Sequence, residues 1–181
     1  GAVWNGMVRG RDRRDEARSE LADYVRTRPE DPRGWILASR LATIERRWRD
    51  AERALGRAID RLPAPSPDLF VERARLLLAG DAPDYEAALA ALEGGLARLG
   101  PLVSLELAAV DVEEARGEPA LALARLSRAA ARLEQPWALM PRRAELVRRA
   151  GEPQEARWID AAAAAVSRHT GPGVALEPVL A

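Results

Sequence analysis

Few residues in this sequence could do enzymatic chemistry. The chain contains no cysteine, which excludes a cysteine nucleophile, a disulfide framework and a zinc–thiolate site. His169 is the single histidine, and it falls near a predicted helix end, where the helix dipole favours a cation. A serine hydrolase would need to build its triad around this histidine, yet the sequence has no Gly-x-Ser-x-Gly elbow. The sequence therefore predicts no catalytic residue.

Acidic residues form two clusters, and neither has the spacing of a metal site. One cluster consists of Asp111, Glu113 and Glu114, and the other consists of Asp81 and Asp84. Calcium loops place their oxygen ligands at other intervals, so we interpret both clusters as solvated surface. The adjacent glycines Gly94 and Gly95 lie inside a helical pattern and follow no strand, so they do not indicate a phosphate-binding loop. We predict neither a metal site nor a cofactor.

Charge is balanced along the chain. There are 28 arginines and no lysine against 28 acidic residues. A net charge of zero argues against a nucleic-acid binder, and no apolar run approaches the roughly 18 residues of a membrane helix. Arginine in place of lysine, with abundant alanine, is typical of GC-rich bacteria, so we expect a soluble protein of bacterial cytoplasm or periplasm. The start at Gly1 without methionine is interpreted as a removed leader or a fragment.

The composition and the residue pattern of the chain predict helices. Alanine, leucine, arginine and glutamate dominate, and no segment alternates with the period of a strand, which predicts an all-α fold. The tripeptide Gly-Glu-Pro occurs at 117–119 and again at 151–153. Glycine suits the left-handed position that ends one helix, and proline suits the first turn of the next. Two helices joined by so short a turn pack antiparallel.

The second helix of each predicted pair repeats one pattern: a small residue, an apolar residue four positions later and a small residue three positions after that. The triplets are Ala51/Leu55/Ala58, Ala88/Leu92/Gly95 and Ala122/Leu126/Ala129. Ala156/Asp160/Ala163 has the same spacing but departs from the pattern at Asp160, and Ala17/Leu21/Tyr24 is a partial copy. Their lead alanines are 34, 37, 34 and 34 residues apart. The longer step coincides with an extended turn around residues 81–84.

A helix–turn–helix repeat of this length resembles the tetratricopeptide repeat family. The best match runs from Arg33 to Pro63, with Trp35 at the family's aromatic position, where we expect it in the core, and Ser39 at its small position. The fourth copy departs from the pattern, because Glu106 stands at the aromatic position. Open alternatives are an irregular or bundle-type all-α domain and a 35-residue RNA-reading repeat, although the latter needs a basic groove that we do not find.

The resemblance implies a right-handed superhelical solenoid of about four and a half repeats. Its units are predicted at about 1–30, 31–65, 66–101, 102–135 and 136–170, within a single domain of residues 1–170. Residues 171–181 form a tail broken by glycine and proline, and we expect it to cover the last helix or to insert into a neighbouring molecule. The first helix of each pair lines the concave side in this family. The second helix of the truncated first unit is predicted at about residues 13–28, and Trp137 is expected to start the first helix of the last unit.

The same resemblance assigns a partner-binding groove to residues of those first helices. The predicted groove residues are Ile36, Leu37, Arg40, Ile44, Glu72, Arg75, Leu78, Asp111, Glu114, Arg142, Glu145, Arg148 and Arg149. An apolar patch near Ile36 thus leads through mixed charge to a basic end formed by Arg142, Arg148 and Arg149. Chaperone-binding relatives use lysine and asparagine in such grooves, and a chain without lysine does not match them.

We expect a non-catalytic scaffold or adaptor that binds a peptide or helix of a protein partner in this groove. One alternative is a self-association module that forms homo-oligomers through the last helix, which carries Trp158, and the tail. Another is an enzyme with a small-molecule site in the groove, which predicts a deep pocket and a dependence on Glu72 or Asp111. Neither nucleic acid nor membrane insertion is expected.

Overall fold

The computed structural model describes the backbone of residues 2–151 and 153–169 and the side chains of residues 15–151 and 155–166. The tail of residues 171–181 and the imidazole of His169 lie outside the described residues. The described part of the chain contains no strand, which confirms the all-α prediction. Its helices are α1 (Ala2–Thr27), α2 (Pro32–Ile44), α3 (Trp48–Arg61), α4 (Pro67–Leu78), α5 (Tyr85–Leu99), α6 (Val103–Arg116), α7 (Pro119–Ala130), α8 (Met140–Arg149) and α9 (Pro153–His169), with a 3-10 turn at Pro136–Leu139.

The chain divides into two compact units, Gly1–Arg98 and Leu99–Ala181. In unit 1, α2 packs against α3 and also against α1, and α3 packs against α4. In unit 2, α6 pairs with α7 and α8 pairs with α9, while α7 also contacts α8. Each pair is joined by a short turn, so its helices run antiparallel.

The repeated small–apolar–small triplet forms the core of each unit. Ala51, Leu55 and Ala58 on α3 are fully buried, and the corresponding residues of α5 and α7 are buried as well. Alanine at a helix crossing lets two backbones approach closely, and leucine fills the layer between them. The first and last copies differ: Ala17 and Asp160 are exposed, although Ala156 of the last copy is fully buried.

The predicted turn chemistry is confirmed in unit 2. Gly117 and Gly151 have φ angles of 85° and 92°, in the left-handed region where glycine is favoured. Pro119 and Pro153 begin the helices that follow. The equivalent turn between α2 and α3 has no glycine, and Arg46 occupies the left-handed region there with φ 57°.

Three predicted details differ from the structure. The first predicted helix, at residues 13–28, is the end of one continuous 26-residue helix, α1, because no proline interrupts residues 2–27. The first helix of the last predicted unit is α8, and it begins at Met140 rather than beside Trp137, because Pro141 is tolerated only in the first turn of a helix. Trp35, predicted to lie in the core, is half-buried: its indole N–H donates to the Pro29 carbonyl at 2.7 Å.

Candidate functional site

One face of α2 is built like a binding surface. Arg33, Leu37, Arg40 and Ile44 recur every three or four residues, so they lie along one side of the helix. We call these four residues the α2 outer stripe. All four are exposed, whereas Gly34, Ser39 and Ala42 are buried on the opposite side. The stripe therefore faces away from the core of unit 1.

The apolar residues of the stripe are unusually open for their type. Leu37 is 53% exposed and Ile44 is 67% exposed, while the neighbouring Ile36 is half-buried. Arg40, which lies between them, makes no ion pair or side-chain hydrogen bond with any described residue. Arg33 approaches only Asp31, at 3.7 Å, and its side chain is 88% exposed. Two aliphatic side chains and two available guanidinium groups thus share one surface.

The start of α2 is held firmly by a capping interaction. The Asp31 carboxylate accepts a hydrogen bond from the Arg33 backbone N–H at 2.9 Å and another from the Tyr24 hydroxyl at 2.7 Å. The Tyr24 hydroxyl, followed by the Arg33 N–H, holds the pKa of Asp31 below its usual value. This carboxylate is therefore charged at neutral pH and fixes the first turn of the stripe.

The end of α2 is held by a second carboxylate. Glu45 accepts from the Arg18 guanidinium of α1 at 2.5 Å and from the Arg47 Nε–H at 2.8 Å. The hydrogen bond from Arg18 is the main cause that lowers the pKa of Glu45, and the bond from Arg47 adds to it. Both carboxylates beside the stripe are therefore already occupied by partners within unit 1.

Helix α4 supplies the other groove residues predicted in unit 1. Arg75 is exposed and makes no ion pair within the described chain, whereas Glu72 and Leu78 are half-buried. An ion pair between Arg73 and Glu52, at 2.8 Å, ties α4 to α3. This helix therefore adds mixed charge rather than a second apolar stripe.

The groove residues predicted in unit 2 are already paired with one another. Arg142 of α8 lies between Asp111 and Glu114 of α6 and donates hydrogen bonds to both carboxylates. Arg149 approaches Glu114 at 3.5 Å. Burial lowers the pKa of Arg142, but the hydrogen bonds to Glu114 and Asp111 outweigh it, so the net shift is upward. We call these four residues the α6–α8 ion-pair cluster.

Arg148 is paired as well. Its guanidinium contacts Glu145 at 2.9 Å and Asp160 of α9 at 2.7 Å. The basic end predicted from Arg142, Arg148 and Arg149 is thus balanced by carboxylates of the same unit. These arginines join neighbouring helices through ion pairs. Their guanidinium groups already have carboxylate partners, whereas that of Arg40 has none among the described residues.

A charged group in the core of unit 2 was missed by sequence reasoning. Glu106, Glu113 and Arg125 are all buried, and Arg125 contacts Glu113 at 3.1 Å and Glu106 at 3.4 Å. We call these three residues the buried charge network. Half-exposed Arg132 adds a contact to Glu106 at 3.3 Å. The available signal was Glu106 at the position where the family has an aromatic residue.

Two exposed apolar residues lie elsewhere in unit 2. Trp158 of α9 is 79% exposed, and Leu121 of α7 is 53% exposed. In contrast to Leu37 and Ile44, which share one face of α2, these two side chains lie on different helices. Trp158 is relevant to the self-association alternative, and Leu121 offers a matched control for Leu37.

Other kinds of site find no support in the described residues. No group of three acidic or histidine side chains within them could hold a metal ion. No helix among them combines the length and the apolar character needed to cross a bilayer. A cleft of about 720 Å³ opens beside Trp48 and Gly80 in unit 1, and neither Glu72 nor Asp111 lines it.

Comparison with known proteins identifies the fold. No protein-family model matches the sequence, and no curated protein matches it. Among solved structures, the MamA protein matches with a TM-score of 0.67 at 15% identity, covering 94% of this chain and 92% of that one. PilW, a widely conserved type IV pilus biogenesis factor, matches with a TM-score of 0.52 at 17% identity, covering 91% and 76%. Both contain tetratricopeptide repeats. The chain therefore has a tetratricopeptide-repeat-like fold, as its repeat pattern predicts.

Proposed function

We propose that this protein is a non-catalytic scaffold that binds a peptide or helix of a partner protein through the α2 outer stripe. The observation that carries the proposal is that exposed Leu37 and Ile44 lie on one face of α2 beside Arg40, whose guanidinium has no partner among the described residues. Apolar anchors next to arginine are typical of binding hot spots. Burying the exposed parts of the two aliphatic side chains would contribute on the order of 1 kcal/mol each.

The groove predicted from the sequence is narrowed by this proposal. Ile36, Arg75 and Leu78 are proposed as flanking contacts in unit 1, beside Glu72. In unit 2, Asp111, Glu114, Arg142, Glu145, Arg148 and Arg149 are proposed to hold α6, α8 and α9 in position, since their charges are already matched. An arginine that is already paired with carboxylates of its own chain has less charge to offer a partner.

A capture experiment tests the proposal. The wild-type protein is immobilised beside the Leu37→Asp/Ile44→Asp double variant and exposed to a lysate of the organism that encodes it. Both positions are exposed, so we expect the variant to fold and to lose the captured partner. The matched control is Leu121→Asp, which changes an equally exposed leucine in unit 2. Retention of the partner by the double variant, or its loss from the control alone, would contradict the proposal.

Self-association is a second candidate, and the exposure of Trp158 favours it. A tryptophan that is 79% exposed is a strong anchor for a second copy of the chain. Light scattering at increasing protein concentration, with wild type beside Trp158→Ser, tests this candidate. A mass that rises for the wild type and stays monomeric for the variant would favour it, and two monomeric proteins would exclude it.

A further inference from the structure

We propose that the occupant of the α2 outer stripe is an acidic amphipathic helix of another protein, with two apolar anchors and carboxylates between and beside them. The inference rests on the proposed function and specifies the chemistry of its partner. It is argued from the spacing of the stripe, from its charge and from the contrast with unit 2.

Spacing favours a helix over an extended peptide. Leu37 and Ile44 are seven residues apart on α2, which places them about 10 Å apart along the helix axis. A partner helix presents residues seven apart on one face at the same spacing. An extended strand presents residues of the same face about 7 Å or 13 Å apart, and neither spacing matches the distance between Leu37 and Ile44. Two anchors two turns apart therefore suit a helix that lies along α2.

Charge favours acidic flanks. Arg40 lies between the two anchors, and Arg33 lies one turn beyond Leu37. Arg40 has no carboxylate partner among the described residues, and Glu45 accepts from two other arginines. Asp31 approaches Arg33 only at 3.7 Å and already accepts from Tyr24 and from a backbone N–H, so the Arg33 guanidinium stays 88% exposed. A guanidinium fork binds a carboxylate in a bidentate arrangement, which makes glutamate or aspartate the complementary residue.

Helix α4 carries both positive and negative side chains. Arg75 is a third exposed arginine without a partner in the described chain. Glu72 and Asp68 lie on the same helix, so α4 carries both signs of charge. On α4 the unpartnered arginine is thus accompanied by carboxylates of the same helix, whereas on α2 the arginines lie beside the apolar anchors.

Two other occupants fit the stripe less well. A second copy that used the same stripe would bring the arginines of one copy against those of the other, which repels. A nucleic acid would use the guanidinium groups but would leave Leu37 and Ile44 without an apolar contact. Only a segment that is both apolar and acidic satisfies every residue of the stripe.

Three synthetic helical peptides of about 18 residues test the inference. All three carry leucines two helical turns apart. The intervening and flanking polar positions are glutamate in the first peptide, glutamine in the second and lysine in the third. Binding is measured by fluorescence anisotropy at low and at high salt, with a single-stranded oligonucleotide as a polyanion that lacks apolar anchors.

We expect the glutamate peptide to bind about tenfold or more tightly than the glutamine peptide, and the lysine peptide not to bind. Arg40→Glu should abolish the preference for the acidic peptide, and added salt should weaken it. Leu37→Ala should lower the affinity for the acidic and the neutral peptide alike. The matched controls are Arg49→Glu, which changes an exposed, unpaired arginine on α3, and Leu121→Ala. Neither control should change binding.

The other outcomes separate the inference from the proposed function. Equal binding of all three peptides that is lost in Leu37→Ala would overturn the acidic partner while supporting the α2 outer stripe as a binding surface. Acidic-peptide binding that persists in both Leu37→Ala and Arg40→Glu would overturn both. Equal binding of the oligonucleotide, sensitive to Arg40 but not to Leu37, would assign the stripe to nucleic acid. Association of the protein with itself that is lost in Leu37→Ala would assign it to a second copy.

Discussion

Units 1 and 2 differ in whether the arginines of the predicted groove have partners within their own unit. On α2, arginine and aliphatic side chains face solvent without partners from the described chain. On α6 and α8, the arginines predicted to bind a partner are held by Asp111 and Glu114. An arginine is thus a candidate contact only where no carboxylate of its own chain has already engaged it.

The cores differ in a related way. The core along α3 in unit 1 consists of apolar and small residues, such as Leu55 and Ala58. The core between α6 and α7 includes the buried charge network, in which Arg125 contacts two carboxylates. Burial of ions is costly unless they are paired, so the core of unit 2 depends on charge matching as well as on packing.

Removal of Arg125 should produce the largest effect and break this comparison. Arg125→Ala leaves Glu106 and Glu113 buried without their central cation, and we expect a loss of about 3–5 kcal/mol in the free energy of unfolding. Urea denaturation measures it. Replacing all three residues of the network by leucine should recover most of the loss, since apolar replacements of buried ions are often neutral. A loss below about 1 kcal/mol for Arg125→Ala would contradict the account.

Gly34→Ala tests the close packing of α2 against α1. A Cβ at this position would lie 2.8 Å from Tyr24 Cδ1 and 3.1 Å from Val25 Cγ1, and the Tyr24 ring is held by its bond to Asp31. We expect thermal unfolding to show a loss of about 1–3 kcal/mol. The control Gly94→Ala should instead stabilise by about 0.5–1 kcal/mol, because its Cβ would meet nothing within 4 Å.

Substitutions of Arg142 and of Arg40 compare a paired arginine of unit 2 with an arginine of unit 1 that has no partner among the described residues. Arg142→Ala removes the shared partner of Asp111 and Glu114 and should cost about 1 kcal/mol in the free energy of unfolding without changing peptide affinity. Arg40→Ala should have the reverse profile, with unchanged stability and weaker binding. Chemical denaturation and anisotropy on the same samples measure both quantities. Equal stability losses for the two variants would remove the distinction between the units.

The smallest effect is expected at the turn between α2 and α3. Arg46 has a left-handed backbone with φ 57°, where unit 2 has glycine in its turns. Arg46→Gly should raise the melting temperature and stabilise by about 0.5–1 kcal/mol, because glycine adopts this conformation without a steric penalty. The complementary change, Gly117→Ala, should lower it. Destabilisation by Arg46→Gly would show that the Arg46 side chain contributes more than the turn geometry.

Much of the fold could be predicted from the sequence, because helical pairing follows from local rules. The period of the alanine triplets predicted the buried positions of α3, α5 and α7. The Gly-Glu-Pro turns predicted the ends of α6 and α8 and the starts of α7 and α9. The start of α8 was missed because Pro141 shifts it by one turn. That shift depends on where a single proline lies within the first turn.

The candidate site was less predictable. The sequence placed Leu37, Arg40 and Ile44 on one helix face, and the structure shows how exposed they are. Pairing between Arg142 and Asp111 joins residues 31 positions apart, so it depends on how α6 and α8 pack and not on local spacing. The buried charge network is another long-range contact of this kind. Its only sequence signal was Glu106 at a position where an aromatic residue is expected.

Site-specific photo-crosslinking tests the central claim most directly. A photoreactive aliphatic residue, which keeps the apolar character of Leu37, is placed at position 37 on α2 or at position 145 on α8, and each protein is irradiated in the organism that encodes it. Both positions are exposed, so the two probes differ mainly in the unit that carries them. We predict a crosslinked partner from position 37 that is lost when Arg40→Glu is added, and none from position 145. A partner captured from position 145 and not from position 37 would contradict the account.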